Sequence, residues 1–222
     1  TVLMVSTDKA CEPVNVYGMC KSISERVVTS QASYYDSKRI KFIGTRYGNV
    51  LDSRGSIIPL FKYQAKNNDC ITITDDRMTR FVMTLDESVK LIIDAINIAK
   101  SGEILIPKLK AMKIKDLAQI YANISKKPVK TIGIRPGEKI DEKLICKAES
   151  LRVKNIGEYY LLRPAHEKIE DGNVNIFDYT SSDDILTADS LSKYLDSLGH
   201  LDLNFDKHPG KIIEDIDTKS KK

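Results

Sequence analysis

None of the eleven glycines lies two positions from another, so the chain has no G-x-G pair anywhere. That excludes the G-x-G-x-x-G phosphate turn of a dinucleotide-binding unit from this sequence. No stretch approaches the roughly 18 consecutive apolar residues of a membrane span, and no signal-peptide pattern is present, so neither a membrane partner nor export is expected. Cys11, Cys20, Cys70 and Cys146 are widely spaced; they form no C-x-x-C pair and no cluster with the three histidines. A metal site is therefore not expected, and reduced thiols in a cytoplasmic protein are the simplest reading. A one-signed charge is missing too. Thirty-five basic and 31 acidic residues are mixed along the chain for a net charge of +4, which gives no footprint for nucleic acid. The basic cluster Lys219-Ser220-Lys221-Lys222 reads as a solvated tail. There is no internal repeat.

What is present is a 222-residue chain with 41% apolar and 30% charged residues, the composition of a globular protein. The run Val2-Leu3-Met4-Val5 follows Thr1 directly, which reads as a buried strand and makes the sequence look like part of something longer. A helical pattern from Val16 to Ala32 follows, then a strand over Ile40–Thr45, a short helix over Ile57–Ala65 with Pro59 in its first turn, and a strand over Cys70–Thr74. Thr84 and Glu87 form a capping box for a helix running to Ala99, with Val89, Ile92, Ile93 and Ile96 expected on its buried face. Strands are expected at Glu103–Ile106, Val129–Ile134 and Glu158–Leu162. Helices are expected around Ile114–Tyr121 and from Thr187 to Leu198, the latter stopped by Gly199. The alternation points to an α/β fold with a parallel sheet and a small appended α/β lobe.

Two clusters carry chemistry. Tyr17 and Lys21 stand four residues apart on one face of a helix, and an ammonium beside a phenol favours the phenolate, which can take a proton from a sugar hydroxyl. Taken singly, the pair is common on helix surfaces. Ser6-Thr7-Asp8-Lys9-Ala10 lies at the C-terminal end of the first strand, where ligands gather in open α/β sheets. An isolated Asp8-Lys9 would read as a solvated ion pair; followed by a proline turn and Y-x-x-x-K, it reads as an active-site layout.

Ser6-Thr-Asp-Lys-Ala10, Pro13-Val-Asn15, Tyr17-Gly18 and Lys21 resemble the signature of the CapD-like polysaccharide-biosynthesis branch of the extended short-chain dehydrogenase/reductases. Arg46-Tyr-Gly-Asn-Val50, Ser53-Arg-Gly-Ser56, Ile106-Pro-Lys-Leu-Lys-Ala-Met112, Met78-Thr-Arg-Phe81 and Ile134-Arg-Pro-Gly-Glu-Lys139 match the same branch. Together they look most like the inverting UDP-N-acetylglucosamine 4,6-dehydratases, from Val2 to about Pro164; Tyr179 to Leu195 is more loosely similar to a C-terminal extension of capsule enzymes.

The resemblance implies a C-terminal part of a Rossmann-like doubly wound sheet over residues 1–100, a substrate-binding lobe over 101–165, and an extension with a basic tail over 166–222. It also implies a bound NADP or NAD, held largely by an N-terminal half not in this sequence, a UDP-sugar substrate and a homo-oligomer. Tyr17 would deprotonate the sugar C4 hydroxyl as hydride passes to the nicotinamide, Lys21 would hold the cofactor ribose, and Tyr47 would also meet the cofactor. Thr7 would bond O4, Lys9 would remove the C5 proton, and Asp8 would protonate the leaving C6 hydroxyl. Arg46, Asn49, Ser56, Arg80, Arg135 and Glu138 would contact the nucleotide-sugar, since guanidinium forks match phosphate oxygens. Arg135 before Pro136-Gly137 also fits a plain turn, and Glu138 with Lys139 a surface pair. Asp52 and Asp141 depart from the family's usual glycine and histidine; an acid at 52 would oppose an anion. Two alternatives share these residues: a catalytically incompetent remnant of the family, and a UDP-sugar 4-epimerase, which has no use for Asp8-Lys9.

Overall fold

The structure is a computed structural model that describes residues 1–53, 55–167 and 175–203. Arg54 and the basic tail at 219–222 lie outside the described residues. In chain order, β1 (Val2–Thr7) leads through a 3₁₀ turn at Asp8–Ala10 into α1 (Val16–Ser30). Then come β2 (Phe42–Tyr47), β3 (Asn49–Val50), α2 (Ile57–Asn67), β4 (Ile71–Ile73), β5 (Thr79–Met83) and α3 (Leu85–Ile98). The chain continues through β6 (Ile104–Pro107), β7 (Ala111–Lys113), α4 (Ile114–Ser125), β8 (Val129–Thr131), β9 (Lys143–Ile145), α5 (Lys147–Ser150), β10 (Val153–Ile156), β11 (Tyr159–Leu162), β12 (Tyr179–Thr180) and α6 (Ala188–Ser197).

The main sheet runs β1-β2-β6-β11-β10. Its first three strands are parallel, with Val2 opposite Phe42 and Thr7 opposite Tyr47; β11 and β10 are antiparallel additions. This register sets the carboxyl ends of β1 and β2 side by side, so the segments after Thr7 and Tyr47 leave the sheet at one place. Smaller sheets, β3-β5-β7, β4-β8 and β12-β9, build the rest.

The capping box of α3 is formed as its sequence spells it: Thr84 Oγ1 accepts from the Glu87 amide at 3.1 Å, and Glu87 answers at the Thr84 amide. Thr187 caps α6 through the Ser190 amide, and Gly199 beyond it takes φ of +69°. The buried face of α3 is a correction. Ser88, Leu91 and Ala95 face inward, while Val89, Ile93 and Ile96 are exposed. Two of the three inward residues are small, which lets the helix lie close to the sheet and turns the bulkier β-branched stripe outward. A similar stripe on α1, of Val16, Met19, Ile23 and Val27, is also exposed, as are Val2 and Val5 of the edge strand.

Two cores form. One joins Ile43, Leu91, Ala95 and the strand residues Leu105, Ile106 and Leu161. The other joins Phe61, Ile71, Leu117, Tyr121, Leu191 and Leu195 beneath α2, α4 and α6. Strand alternation in β5 feeds both, with Phe81 and Met83 in the first and Val82 in the second. Both cores draw residues from either side of position 100 and of position 165.

Candidate active site

Where β1 ends, Thr7 caps the 3₁₀ turn, and its hydroxyl donates to Asp8 Oδ1 at 2.7 Å. Lys9 Nζ meets the same oxygen at 3.0 Å. Asp8 is fully buried, at 0% exposed, and its second oxygen Oδ2 has no hydrogen-bond partner among the described residues. Lys9 keeps 32% of its side chain exposed, so the pair joins a buried carboxyl to an accessible amine.

Helix α1 is pressed onto this turn. A Cβ built on Gly18 would stand 2.2 Å from the Lys9 carbonyl oxygen, a separation no side chain tolerates, which is why Tyr17 is followed by glycine. Asn15 caps the helix, accepting from the Gly18 amide at 2.9 Å, and donates to the Gly137 carbonyl at 3.1 Å. Lys139 Nζ bonds the Cys11 carbonyl at 2.7 Å. Thus the Arg135–Lys139 loop is tied to the segment between the turn and α1, and the alternative of a surface pair between Glu138 and Lys139 is not what these partners form. Glu138 instead accepts from the Arg135 amide, closing the turn on itself. Tyr17 is 56% exposed, with Lys21 Nζ 5.9 Å from its ring centre and 3.1 Å from the Val5 carbonyl of β1.

A cavity of about 310 Å³ lies beside this arrangement, lined by Asn49, Asp52, Ser56, Arg80, Arg135 and Glu138 together with apolar residues such as Leu51, Phe61, Ile73, Met78 and Ile132. Five of the six expected substrate contacts therefore share one wall-to-wall space. Asn49 Oδ1 and Ser56 Oγ are buried in it without hydrogen-bond partners among the described residues. Asp52 has φ of +53°, the left-handed conformation that accounts for glycine at such a position. Its carboxylate is nearly buried and faces His200 Nδ1 at 3.7 Å. Arg80 hydrogen-bonds the carbonyls of Thr79, Lys139 and Ile140, fixing its charge at the cavity rim. Asp141 accepts from Thr79 Oγ1 at 2.6 Å.

The sixth contact, Arg46, is a correction. It is 1% exposed, and its five donors are all taken: by both oxygens of Glu25, both oxygens of Glu149 and the Leu144 carbonyl. No donor remains for a phosphate. Burial pushes the Glu149 carboxyl upward, but the hydrogen bonds and charge of Arg46 more than offset this and hold it at about 2. Tyr47 likewise gives its hydroxyl to the Ser88 carbonyl at 2.7 Å, fastening α3 to the sheet, and does not present it to a ligand.

Glu142 escaped sequence reasoning. It is buried, with Oε1 3.8 Å from Lys9 Nζ and 3.7 Å from Arg80 Nε, and Oε2 unpartnered. Burial, then the charge of Asp8, raises its pKa above the ordinary carboxylate value. A line Asp8–Lys9–Glu142–Arg80 thereby connects the Asp8–Ala10 turn to the cavity. No local signal marks it, because Glu142 follows an irregular loop. The sulfurs of Cys11 and Cys146 and a carboxylate oxygen of Glu149 lie within 4.8 Å of one another. A dication there would have to displace or face the Arg46 guanidinium bound to the same carboxylate, so the donor set does not suit a metal.

The family described as polysaccharide biosynthesis proteins matches residues 1–164. The UDP-N-acetylglucosamine 4,6-dehydratase (inverting) of Campylobacter jejuni is 40% identical over 173 residues, covering 77% of this chain and 51% of that protein. The UDP-glucose 4-epimerase of Rickettsia bellii is 40% identical over 161 residues, covering 72% and 47% respectively. Among solved structures, Pen from Bacillus thuringiensis superposes with a TM-score of 0.81 at 33% identity, over 90% of this chain and 62% of that one. The chain spans about half the length of the two curated relatives. Among the described residues, no helix is long and apolar enough to cross a membrane.

Proposed function

The chain belongs to the polysaccharide biosynthesis protein family, and on that premise we propose that it carries the acid, the base and the substrate-holding residues of a nucleotide-sugar 4,6-dehydratase acting on UDP-N-acetylglucosamine with inversion at C5. The cavity receives the nucleotide diphosphate. Arg135 supplies guanidinium donors to its phosphates; Arg80, whose terminal nitrogens are held by the Thr79, Ile140 and Lys139 carbonyls, adds charge alone. Ser56 offers its hydroxyl, and Asn49 Oδ1, an acceptor, takes an N–H or O–H of the nucleotide. The sugar then extends toward the turn at Asp8–Ala10.

Tyr17 takes the proton of the C4 hydroxyl. Thr7, whose hydrogen goes to Asp8 here, can turn that hydrogen to O4, which keeps lone pairs to accept it while its own proton goes to Tyr17. A nicotinamide cofactor, when bound, supplies a place for the C4 hydride and returns it to C6. The exposed phenol of Tyr17 and the amine of Lys21 above the end of β1 suit its ribose end, and they are the residues that would hold it. The C4 ketone acidifies the C5–H bond. Lys9, neutral when it acts, removes that proton while the buried carboxyl of Asp8 protonates O6, which leaves as water. Delivery of a proton to C5 from the opposite face inverts the centre and gives a 4-keto-6-deoxy sugar. Glu142, 3.8 Å from Lys9, keeps the amine aimed at this edge.

The observation that supports the reading is the buried Asp8, with one oxygen on Thr7 and Lys9 and the other unpartnered. Hydride exchange at C4 alone, as in an epimerase, needs only a tyrosine and lysine. The test uses a chimera in which the N-terminal part of the Campylobacter relative precedes Thr1, incubated with UDP-N-acetylglucosamine and followed by proton NMR. A C6 methyl signal is expected, and Asp8→Asn should lower its rate by about 10²-fold or more, the usual worth of a positioned acid. A UDP-N-acetylgalactosamine product without a C6 methyl signal would move the assignment to epimerisation.

A further inference from the structure

Cys11 and Cys146 stand 135 positions apart in sequence yet meet in the structure, and nothing in the sugar chemistry uses either. Cys11 follows the catalytic turn as its C-cap, its amide bonded to the Asp8 carbonyl at 3.1 Å. Cys146 precedes α5 as its N-cap, its sulfur accepting from the Glu149 amide. The two sulfurs and a Glu149 carboxylate oxygen lie within 4.8 Å of one another, and Cys11 Sγ donates to Glu149 Oε2 at 3.5 Å. Their exposure differs in the way an attacking and a resolving thiol differ. Cys11 is 1% exposed, whereas Cys146 is partly open to solvent.

We propose that Cys146 and Cys11 form a dithiol site for small-molecule disulfides of the glutathione class, closing to an internal disulfide that fastens the Asp8–Ala10 turn to the loop before α5. Attack begins at Cys146. Its sulfur is the one partly open to solvent, and it accepts from the Glu149 amide, a donor that favours the thiolate there. Cys11 is buried, gives its hydrogen to Glu149 Oε2 and keeps its proton at this stage. Cys146 thiolate attacks one sulfur of the oxidised disulfide and expels a thiolate, leaving a mixed disulfide. Cys11 then gives up its proton and attacks Cys146 Sγ, expelling the second thiol. Protein dithiol plus disulfide becomes protein disulfide plus two small thiols, so the electrons removed from the two cysteines reside on the departing thiols.

The site reports on function by position. Oxidation would cross-link the segment bearing Asp8 and Lys9 to the strand-and-loop element that also presents Glu142, and dithiol reduction would release it. This holds whichever sugar reaction the turn serves, and it is tested without an activity assay.

The experiment incubates the native 222-residue chain with oxidised glutathione near neutral pH, followed by intact-mass measurement and non-reducing peptide mapping. The expected result is loss of two hydrogens, a single linked peptide pair containing Cys11 and Cys146, and reversal by dithiothreitol. Cys11→Ser should halt at one glutathionyl group on Cys146, and Cys146→Ser should leave Cys11 unmodified. A Cys20→Ser/Cys70→Ser chain should still cross-link fully, which keeps the result readable if Cys11→Ser folds poorly. Glutathionylation confined to Cys20 or Cys70, or a native chain with no Cys11–Cys146 link after prolonged exposure, would overturn the proposal.

Discussion

Arg46 shows how a side chain's partners decide its task. Its guanidinium is sandwiched between Glu25 and Glu149, which stand 21 and 103 positions away. Nothing in the run Arg46-Tyr-Gly-Asn-Val50 distinguishes such a buried hub from a phosphate contact; only the tertiary fold brings the carboxylates in. Breaking one side of a buried pair leaves an uncompensated charge, so Arg46→Ala should cost about 3–5 kcal/mol of stability, measured by urea unfolding. The acid limb follows from Glu149. Its folded pKa of about 2 lies below the ordinary 4.5, so its contribution is present above the ordinary value and is lost as pH falls from there toward 2. Unfolding midpoints measured across that range should drop, and the drop should be smaller in Arg46→Ala. By contrast, Asp8, Lys9, Arg80 and Arg135 can be picked out as candidates from sequence because each sits in a short motif with neighbours of defined type. Glu142 and the Cys11–Cys146 pair were not, since they depend on a loop of no regular period returning to the turn.

At the scale of elements, local rules mark the helix opening at Val16 and the capped helices at Thr84 and Thr187 but leave the short strands β5, β7, β9 and β10 unmarked. The run Val2–Val5, expected as a buried strand, lies in an edge strand with Val2 and Val5 exposed. The buried side of α3 does not follow from hydrophobicity alone, because Ser88 and Ala95 win the sheet-facing positions by size while Val89, Ile93 and Ile96 stay outside. Helix α1 lies in close contact with the Asp8–Ala10 turn at Gly18. A methyl group there would meet a backbone oxygen at 2.2 Å and force either the helix or the turn to move. Gly18→Ala should therefore lower stability by at least about 1–3 kcal/mol, the usual cost of overpacking, in thermal unfolding. A melting curve indistinguishable from that of the native chain would mean that the helix does not press on the turn.

For the whole molecule, the parallel strands bring the Asp8–Ala10 turn and the segment after Tyr47 to one edge, and a cavity lies beside them. The wall of that cavity combines guanidinium charge from Arg80 and Arg135 with orphaned polar atoms of Asn49 and Ser56, and Glu142 links it to Asp8 and Lys9. Without a G-x-G turn, the chain lacks the phosphate turn of a dinucleotide-binding unit, and on the function proposed above Tyr17 and Lys21 would meet only the cofactor's ribose. The 222-residue chain should accordingly show no micromolar binding of NADPH by fluorescence titration. The central claim is that Lys9 and Asp8 break the C5–H and C6–O bonds of a hexose. Running the chimera's reaction in deuterium oxide and examining the product by NMR tests it most directly. The account predicts one deuterium at C5 beside a methyl group that carries the hydride from C4. A product with protium retained at C5 and its C6 oxygen intact would contradict it.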